Sequence, residues 1–406
     1  MANQNLTPDM ITDEALDILH QKLNFVGNII TDYDDEFAQE GAKIGNTLRV
    51  RHPIQYATGT GATMATGTGA DTHQTSTTLT ISSQRHVPMR FTSAEQTMDI
   101  DSFSKRHIEP AMSVLAAKIE NDCLSMIDEV ANTVHCGTAV SFAEIMAGRK
   151  KLVDGLAPGV DHVALLDTQA NVDLVSELKG LFHSSDEVSK QYKEGKMGTT
   201  ASFDFYENTL LPSHTTGVEG GLGNYLINDT GAGVTGVSSS EGLTTGSLIV
   251  DTGTKTIKDG DVFTIANVYE VQPETKLSTG VLKQFTVTAD AAGAGTLAIA
   301  PNIITGGAYQ NVNSVPANNA AITFLGAAST VYNQSLLFQK GFACFGSADL
   351  VLPKGTHMAS RRNLDGISMR LVSDYDIVKD RVYTRMDVLY GFKVLRPQLA
   401  CKVLHT

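Results

Sequence analysis

Eleven histidines, four cysteines and a glycine-rich run are the residues with which this sequence could do chemistry, and their spacing serves no familiar reaction. The run GTGATMATGTG, residues 59–69, has the glycines of a phosphate cradle. A phosphate loop, however, must turn from a strand into a helix N-terminus, and here the flanking pattern returns to a strand. Asp374, Asp376 and Asp380 begin like a calcium loop but lack the glycine and the closing glutamate that such a loop needs, so a solvated turn is expected. No His-Glu-x-x-His pair occurs, and the four cysteines include no Cys-x-x-Cys spacing of the kind a zinc site uses. Cys344, in GFACFGS, is flanked by apolar residues with no base nearby, which makes it a core thiol rather than a nucleophile. There is no Gly-x-Ser-x-Gly elbow, and tryptophan is absent. The expectation is no catalytic residue, no metal and no cofactor.

The elements around these residues must therefore do something other than position a reaction. The 406 residues exceed the roughly 250–300 at which one hydrophobic core stops growing, so two or more domains are expected. Cys123, Cys136, Cys344 and Cys401 follow no disulfide framework and read as free thiols of a reducing compartment. Neither a signal peptide nor a stretch of bilayer length is evident, and no membrane association is expected. A net charge of −13 argues against a general nucleic-acid binder. The charge is polarised along the chain: residues 1–40 hold nine acidic side chains against Lys22, whereas residues 354–406 hold ten Lys or Arg against five Asp.

Pro8 at a first helical position, with Ile11, Ala15, Leu19 and Leu23 at fourfold spacing, predicts an amphipathic first helix. An acidic stretch containing Asp34, Asp35 and Glu36 follows. Residues 46–92 read as one long β-hairpin. Leu48 and Val50 alternate in one arm, Leu79 and Ile81 in the other, and the tip between them has almost no large apolar side chain. A helix is predicted over 104–130 from Ile108, Met112, Leu115, Ile119, Cys123, Met126 and Val130. Another starts at Ser141, with Glu144 completing a capping box. VDHVALLD reads as a buried strand and NVDLVSELKGLF as a further helix, giving a mixed α/β stretch.

At about residue 217 the pattern becomes all-β. Short strands SLIVDTG, DVFTIANVYEV, LKQFTVTAD, GTLAIAPNI and AAITFLG alternate with turn signals, as in a sandwich or barrel. The expected inward positions are Leu248, Val250, Phe263, Ile265, Phe285, Val287, Leu297 and Ile299. Mixed structure returns after residue 330 and ends on a strand carrying Val382, Thr384, Met386 and Val388.

The order of these elements, together with HIEPAMSVLAAKIENDCL, EGKMGTTASFDFYENTLLPSHTTG and TRMDVLYGFKVLRPQLA, resembles the major capsid proteins of tailed bacteriophages. Within them it is most similar to the coat proteins of short-tailed Salmonella phages, which carry an inserted immunoglobulin-like domain; here KDGDVFTIANVYEVQPETKLSTGVLKQFTVTAD lies in the candidate insert. The resemblance implies an α+β, Hong Kong 97 type capsid fold. On that mapping residues 1–45 are the N-terminal arm, 46–92 the extended β-hairpin loop and 104–133 the spine helix. Residues 93–220 hold the spine helix with the first part of the peripheral and axial domains, 222–330 the inserted immunoglobulin-like or β-barrel domain, and 331–406 the second part. The implied partners are further copies of the chain, as hexamers and pentamers of an icosahedral shell, a separate scaffolding protein, a portal protein, packaged double-stranded DNA by proximity, and decoration proteins. The implied place is the virion capsid, assembled in the bacterial cytoplasm.

Residues expected to contact neighbouring subunits are Arg49, Arg51, Thr60, Met64, Thr68 and Arg85 of the hairpin region, Asp34, Asp35 and Glu36 of the acidic stretch, and Arg361, Arg362, Arg385 and Arg396 of the basic C-terminal region. Opposed charges and a core-less hairpin are devices for gripping a neighbour. The alternatives are a β-rich surface adhesin or another structural virion protein. An α/β enzyme ranks behind both because no pocket motif supports it.

Overall fold

The computed structural model describes residues 8–31, 47–56, 62, 76–92, 107–178, 199–200, 202–218, 221–228, 234–235, 246–253 and 256–406. The chain forms two compact units, the first from residues 1–50, 78–124 and 343–393, the second from residues 51–77, 125–342 and 394–406.

In the first unit, helix α1 (Pro8–Lys22) buries Ala15 and Leu19 of the stripe that fourfold spacing predicts, together with Leu16 beside it. Helix α2 (Glu109–Leu124) buries Met112, Leu115, Ile119 and Cys123. It is shorter than the sequence pattern, because the chain tightens into a 3-10 turn at Ser125–Glu129, a common way of satisfying the last carbonyls of a helix. The two helices pack on each other and on a five-stranded sheet whose long member is Arg381–Val394. That strand pairs antiparallel with Ile367–Asp376, with Met369 opposite Val388, and on its other edge with Ser83–Thr92, with Val87 opposite Met386. Ile367–Asp376 in turn pairs with Met358–Leu364.

The pairing of Ser83–Thr92 with Arg381–Val394 corrects the hairpin read from sequence. Thr47–Arg51 pairs with Ser76–Thr80 in a two-stranded ribbon, but residues 83–92 leave it to join the five-stranded sheet. Alternation fixes which side chains face inward, whereas the partner strand is chosen by tertiary packing. Val50, Leu79 and Ile81 are the ribbon's buried residues. Gly391 permits the close crossing, since a Cβ there would lie 2.2 Å from the Thr80 carbonyl oxygen.

The second unit contains two large sheets. The central one runs Thr133–His135, Ala400–His405, Val331–Gln339, His162–Leu166, Phe203–Glu207 and Thr199–Thr200, with Ser213–Thr215 added beside Val331–Asn333. His162–Leu166 is buried along its whole length and pairs parallel with Phe203–Glu207, which suits an uninterrupted apolar run. Helices α3 (Phe142–Asp154) and α4 (Thr168–Leu178) belong to the same unit, and Ile145, Leu152, Ala170 and Leu174 share a core with Ala164, Leu166, Leu337, Cys401 and Val403. Glu144 accepts a hydrogen bond from the Ser141 N–H at 3.0 Å, as the capping box requires.

The distal sheet has seven antiparallel strands in the order Val234–Thr235, Gly246–Val250, Gly295–Ala300, Ser278–Val287, Val262–Val271, Ala321–Phe324 and Gly221–Leu226. Its core contains all eight inward positions expected from alternation, joined by Tyr225, Ile227, Ile257, Val268, Ile303, Val312, Ile322 and Phe324. Phe263 stacks on Phe285 with ring centroids 5.7 Å apart, and Phe324 lies 5.6 Å from Phe263. The chain enters and leaves this sheet side by side, because Thr215 is the register partner of Val331 and His214 of Tyr332.

Candidate inter-subunit contact site

The long strands of the first unit set the positions of most arginines expected to meet a neighbour. Arg361 and Arg362 are consecutive on Met358–Leu364, so they point to opposite faces. Arg361 is held inward, with Nε 3.3 Å from Asp349 and a donated bond to the Leu350 carbonyl at 3.1 Å. Arg362 is exposed and bridges Asp9 and Asp13 of α1, at 3.1 and 3.2 Å. The first acidic residues of the chain thus meet a C-terminal arginine within the same subunit. Arg385 and Arg370 share Asp387, at 2.5 and 2.8 Å. Arg85 donates to Asp122 at 2.7 Å, and the same carboxylate accepts from Tyr390 Oη at 2.7 Å and pairs with Lys118 at 3.0 Å.

Burial would raise the pKa of Asp387, but the hydrogen bonds from Arg385 and Arg370 outweigh it and hold the carboxyl below its ordinary range. Asp122 is governed in the same way, burial being overcome by Arg85, Tyr390 and Lys118. These are structural ion pairs, and nothing about them points to proton transfer.

Arg49 and Arg51 are exposed on the ribbon, on the face opposite Val50. At the ribbon's root, His52 Nε2 lies 2.6 Å from Thr77 Oγ1, and burial followed by the nearby Arg396 charge lowers the histidine's pKa. Arg396 lines a cleft of about 220 Å³ with His52, Pro53, Tyr309, Pro397 and Leu399, and its Nε is buried without a hydrogen-bond partner. Thr60, Met64, Thr68, Asp34, Asp35 and Glu36 lie outside the described residues.

The four cysteines are buried free thiols, and burial pushes those of Cys136, Cys344 and Cys401 up to about 12, far from reactive thiolates. Among the described residues no group of His, Cys, Asp or Glu could hold a metal ion, and no helix is long and apolar enough to cross a membrane.

With ordered strands, saturated ion pairs and inert thiols on view, comparison with known proteins gives one family match. Residues 227–404 match the family model described as "P22 coat protein - gene protein 5". Over that segment, less than half of its length, the chain is similar to this coat-protein family. Sequence reasoning had named this class from element order, and the matched segment contains most of the distal sheet and all of the C-terminal strands. The architecture is α+β.

Solved structures resembling the chain include the capsid of cyanophage P-SCSP1u, at 9% identity and TM-score 0.46 over 93% of this chain and 89% of that one. The head of Helicobacter pylori bacteriophage KHP40 gives 12% identity and 0.44 over 89% and 84%. Mycobacterium phage Che8 gives 11% and 0.43 over 89% and 85%. No curated protein sequence matches.

Sequence reasoning missed the carboxylates. Asp122 and Asp387 organise five basic or phenolic groups between them, yet each stands in a stretch whose pattern signals only a helix or a strand. Their one legible trace is Lys118 and Asp122 at helical i, i+4 spacing.

Proposed function

We propose that the chain is a tailed-phage major capsid protein of the Hong Kong 97 type, structural rather than catalytic, that closes into an icosahedral shell of hexamers and pentamers around double-stranded DNA, assembling in the host cytoplasm with a scaffolding protein, a portal and decoration proteins as partners. Residues 222–330 act in it as an inserted β domain contributing to the outer surface. The observation that carries the insertion is the paired entry and exit: Ser213–Thr215 and Val331–Asn333 lie side by side, so 115 residues between Thr215 and Val331 can be added to the central sheet without interrupting it. The insert's formal charge, four Lys against eight Asp or Glu, suits a solvated surface better than one facing DNA.

Neighbour contacts fall to residues that no carboxylate of the same subunit is shown to engage. Of the arginines expected at the contact, Arg49, Arg51 and Arg396 are the candidates, with Asp34, Asp35, Glu36 and the hairpin tip with Thr60, Met64 and Thr68 as their counterparts. Arg85, Arg361, Arg362 and Arg385 serve instead to hold their own subunit together, and would reach a neighbour only by sharing those carboxylates.

Negative-stain microscopy of the expressed chain with its cognate scaffold tests the reading. Closed shells are expected. Only small particles across a wide range of assembly conditions would reject it. Shortening the tip at 57–77 is expected to leave a folded monomer that cannot close shells.

A further inference from the structure

Between the central and distal sheets lies a fully buried lysine. Lys402 sits on Ala400–His405, opposite Leu336 on one side and Thr133 on the other, and has no exposed surface. Its Nζ donates to the Gly260 carbonyl oxygen at 3.0 Å. Gly260 belongs to a distal-sheet turn that Asp261 preorganises. One Asp261 oxygen accepts from the Lys258 N–H at 2.8 Å and the Gly217 N–H at 3.1 Å, while the other lies 2.8 Å from His214 Nε2. Gly260 has φ +88°, and a Cβ there would stand 2.9 Å from Asp128 Oδ1 and 3.2 Å from the His214 ring. The turn therefore fits one seat only.

The neighbouring joints are also polar. Gln284 accepts from the Thr133 N–H at 2.9 Å and donates to the Thr133 carbonyl at 3.0 Å, and Lys151 donates to the same amide oxygen. Thr286 Oγ1 donates to the Asp128 carbonyl at 3.0 Å. Apolar faces tolerate small slips, because hydrophobic attraction is not directional. A buried ammonium tolerates none, since any slip strands it without an acceptor.

We propose that Lys402 is a positioning residue that fixes the register of the distal sheet on the central sheet, its ammonium being satisfied only when the Gly260 turn is seated against it. In a shell protein this makes every copy present the distal sheet in one orientation.

Stability is not what the lysine contributes. Burial lowers its pKa to about 8, against the attraction of Asp128, Asp261 and Asp259. A folded pKa below the unfolded value of about 10.4 means that its stabilising contribution is complete above pH ~10.4 and is lost as pH falls through about 8. At pH 7 the ammonium is a net cost, retained for position.

The test compares the full chain with Lys402→Met. At pH 7 the variant is expected to melt at or above the wild-type temperature, and this advantage should vanish by pH ~10.5. Cys123, Cys136, Cys344 and Tyr390 oppose this trend equally in both proteins and cancel in the difference, while Cys401, whose thiol the Lys402 charge lowers, is raised further in the variant and acts in the same direction as the loss of the lysine. Hydrogen exchange supplies the readout that a merely structural role would not move. Gly260 N–H is bonded to the Val287 carbonyl and Val287 N–H to the Asp261 carbonyl, both at 2.9 Å. These two amides should exchange about tenfold faster in the variant, while amides within Val331–Gln339 keep their protection. Unchanged exchange at Gly260 and Val287 would overturn the proposal. So would a lower melting temperature at pH 7 or a failure to fold, because Lys402 would then be an ordinary stabilising residue.

Discussion

Arg370 and Asp387 stand directly opposite each other on adjacent strands of the five-stranded sheet, and the guanidinium donates to Asp387 Oδ2 at 2.8 Å. Asp387 has no exposed surface, and its other oxygen is held by Arg385. Removing the carboxylate leaves Arg370 without that partner in a site it half-buries. Asp387→Ala is therefore expected to destabilise the protein by about 3–5 kcal/mol, the usual cost of breaking a buried pair from one side. Urea unfolding measures it.

The same carboxylate makes stability depend on acid. Its folded pKa lies below the unfolded value of about 3.9, so its contribution is complete above that value and is lost as pH falls through the folded one. Asp122 adds to this limb with the same sign. Asp387→Asn should flatten the decline of melting temperature on the acid side, and an unaltered decline would show that other carboxylates carry it.

Helix α1 is held to its own subunit in two ways of unequal strength. The Arg362 pairs with Asp9 and Asp13 are exposed, and such pairs are worth about 0–1 kcal/mol and are screened by salt. Leu19 is fully buried, and truncating a buried leucine to alanine costs about 2–5 kcal/mol. Leu19→Ala should thus lower the melting temperature far more than Arg362→Ala. The loss from Arg362→Ala should shrink further at high ionic strength.

Gly391→Ala isolates the crossing of the ribbon over the long strand. The added methyl would meet the Thr80 carbonyl at 2.2 Å, and the backbone there cannot rotate aside as a side chain can. A destabilisation of about 1–3 kcal/mol is expected, as for other overpacked sites. Circular dichroism melts check it; a neutral result would mean that the ribbon root shifts freely.

Local chemistry was legible in the sequence wherever one residue pattern had one structural solution. Ser141 with Glu144 announced the start of α3, and the alternation of Phe263 with Ile265 or Leu297 with Ile299 announced the core of the distal sheet. The destination of residues 83–92 was not legible, because their alternation fits a hairpin partner and a distant strand equally well and packing made the choice. Lys402 was counted with the basic C-terminal surface, although its strand carries it fully inside. Arg362 was assigned to a neighbour, and the fold instead places Asp9 and Asp13 within its reach. A charge count along the chain records sign and not direction, and direction is what a site requires.

The distal sheet should fold without the rest of the subunit. Its core closes within residues 225–324, with no apolar side chain borrowed from the central sheet among its buried members. Its joints to the central sheet, through Gly260 and Gln284, and to the preceding 3-10 turn, through Thr286, are polar ones, and water can take over such bonds when the partner is removed. A segment of this length falls in the ordinary domain range and can bury enough apolar surface to offset chain entropy without disulfides. Residues 222–330 expressed alone are therefore expected to give a β-type circular dichroism spectrum and a cooperative melt. Phe263 is the residue on which that core turns, stacked on Phe285 and tilted against Phe324 with no exposed surface. Phe263→Ala should cost about 3–5 kcal/mol. A domain of this size holds only about 5–15 kcal/mol, so the variant fragment should lie near or beyond its unfolding midpoint at 37 °C. An unfolded spectrum for the unmutated fragment would mean that its strands depend on the central sheet for their pairing, and residues 222–330 would then be an extension of that sheet's domain rather than an insertion into it.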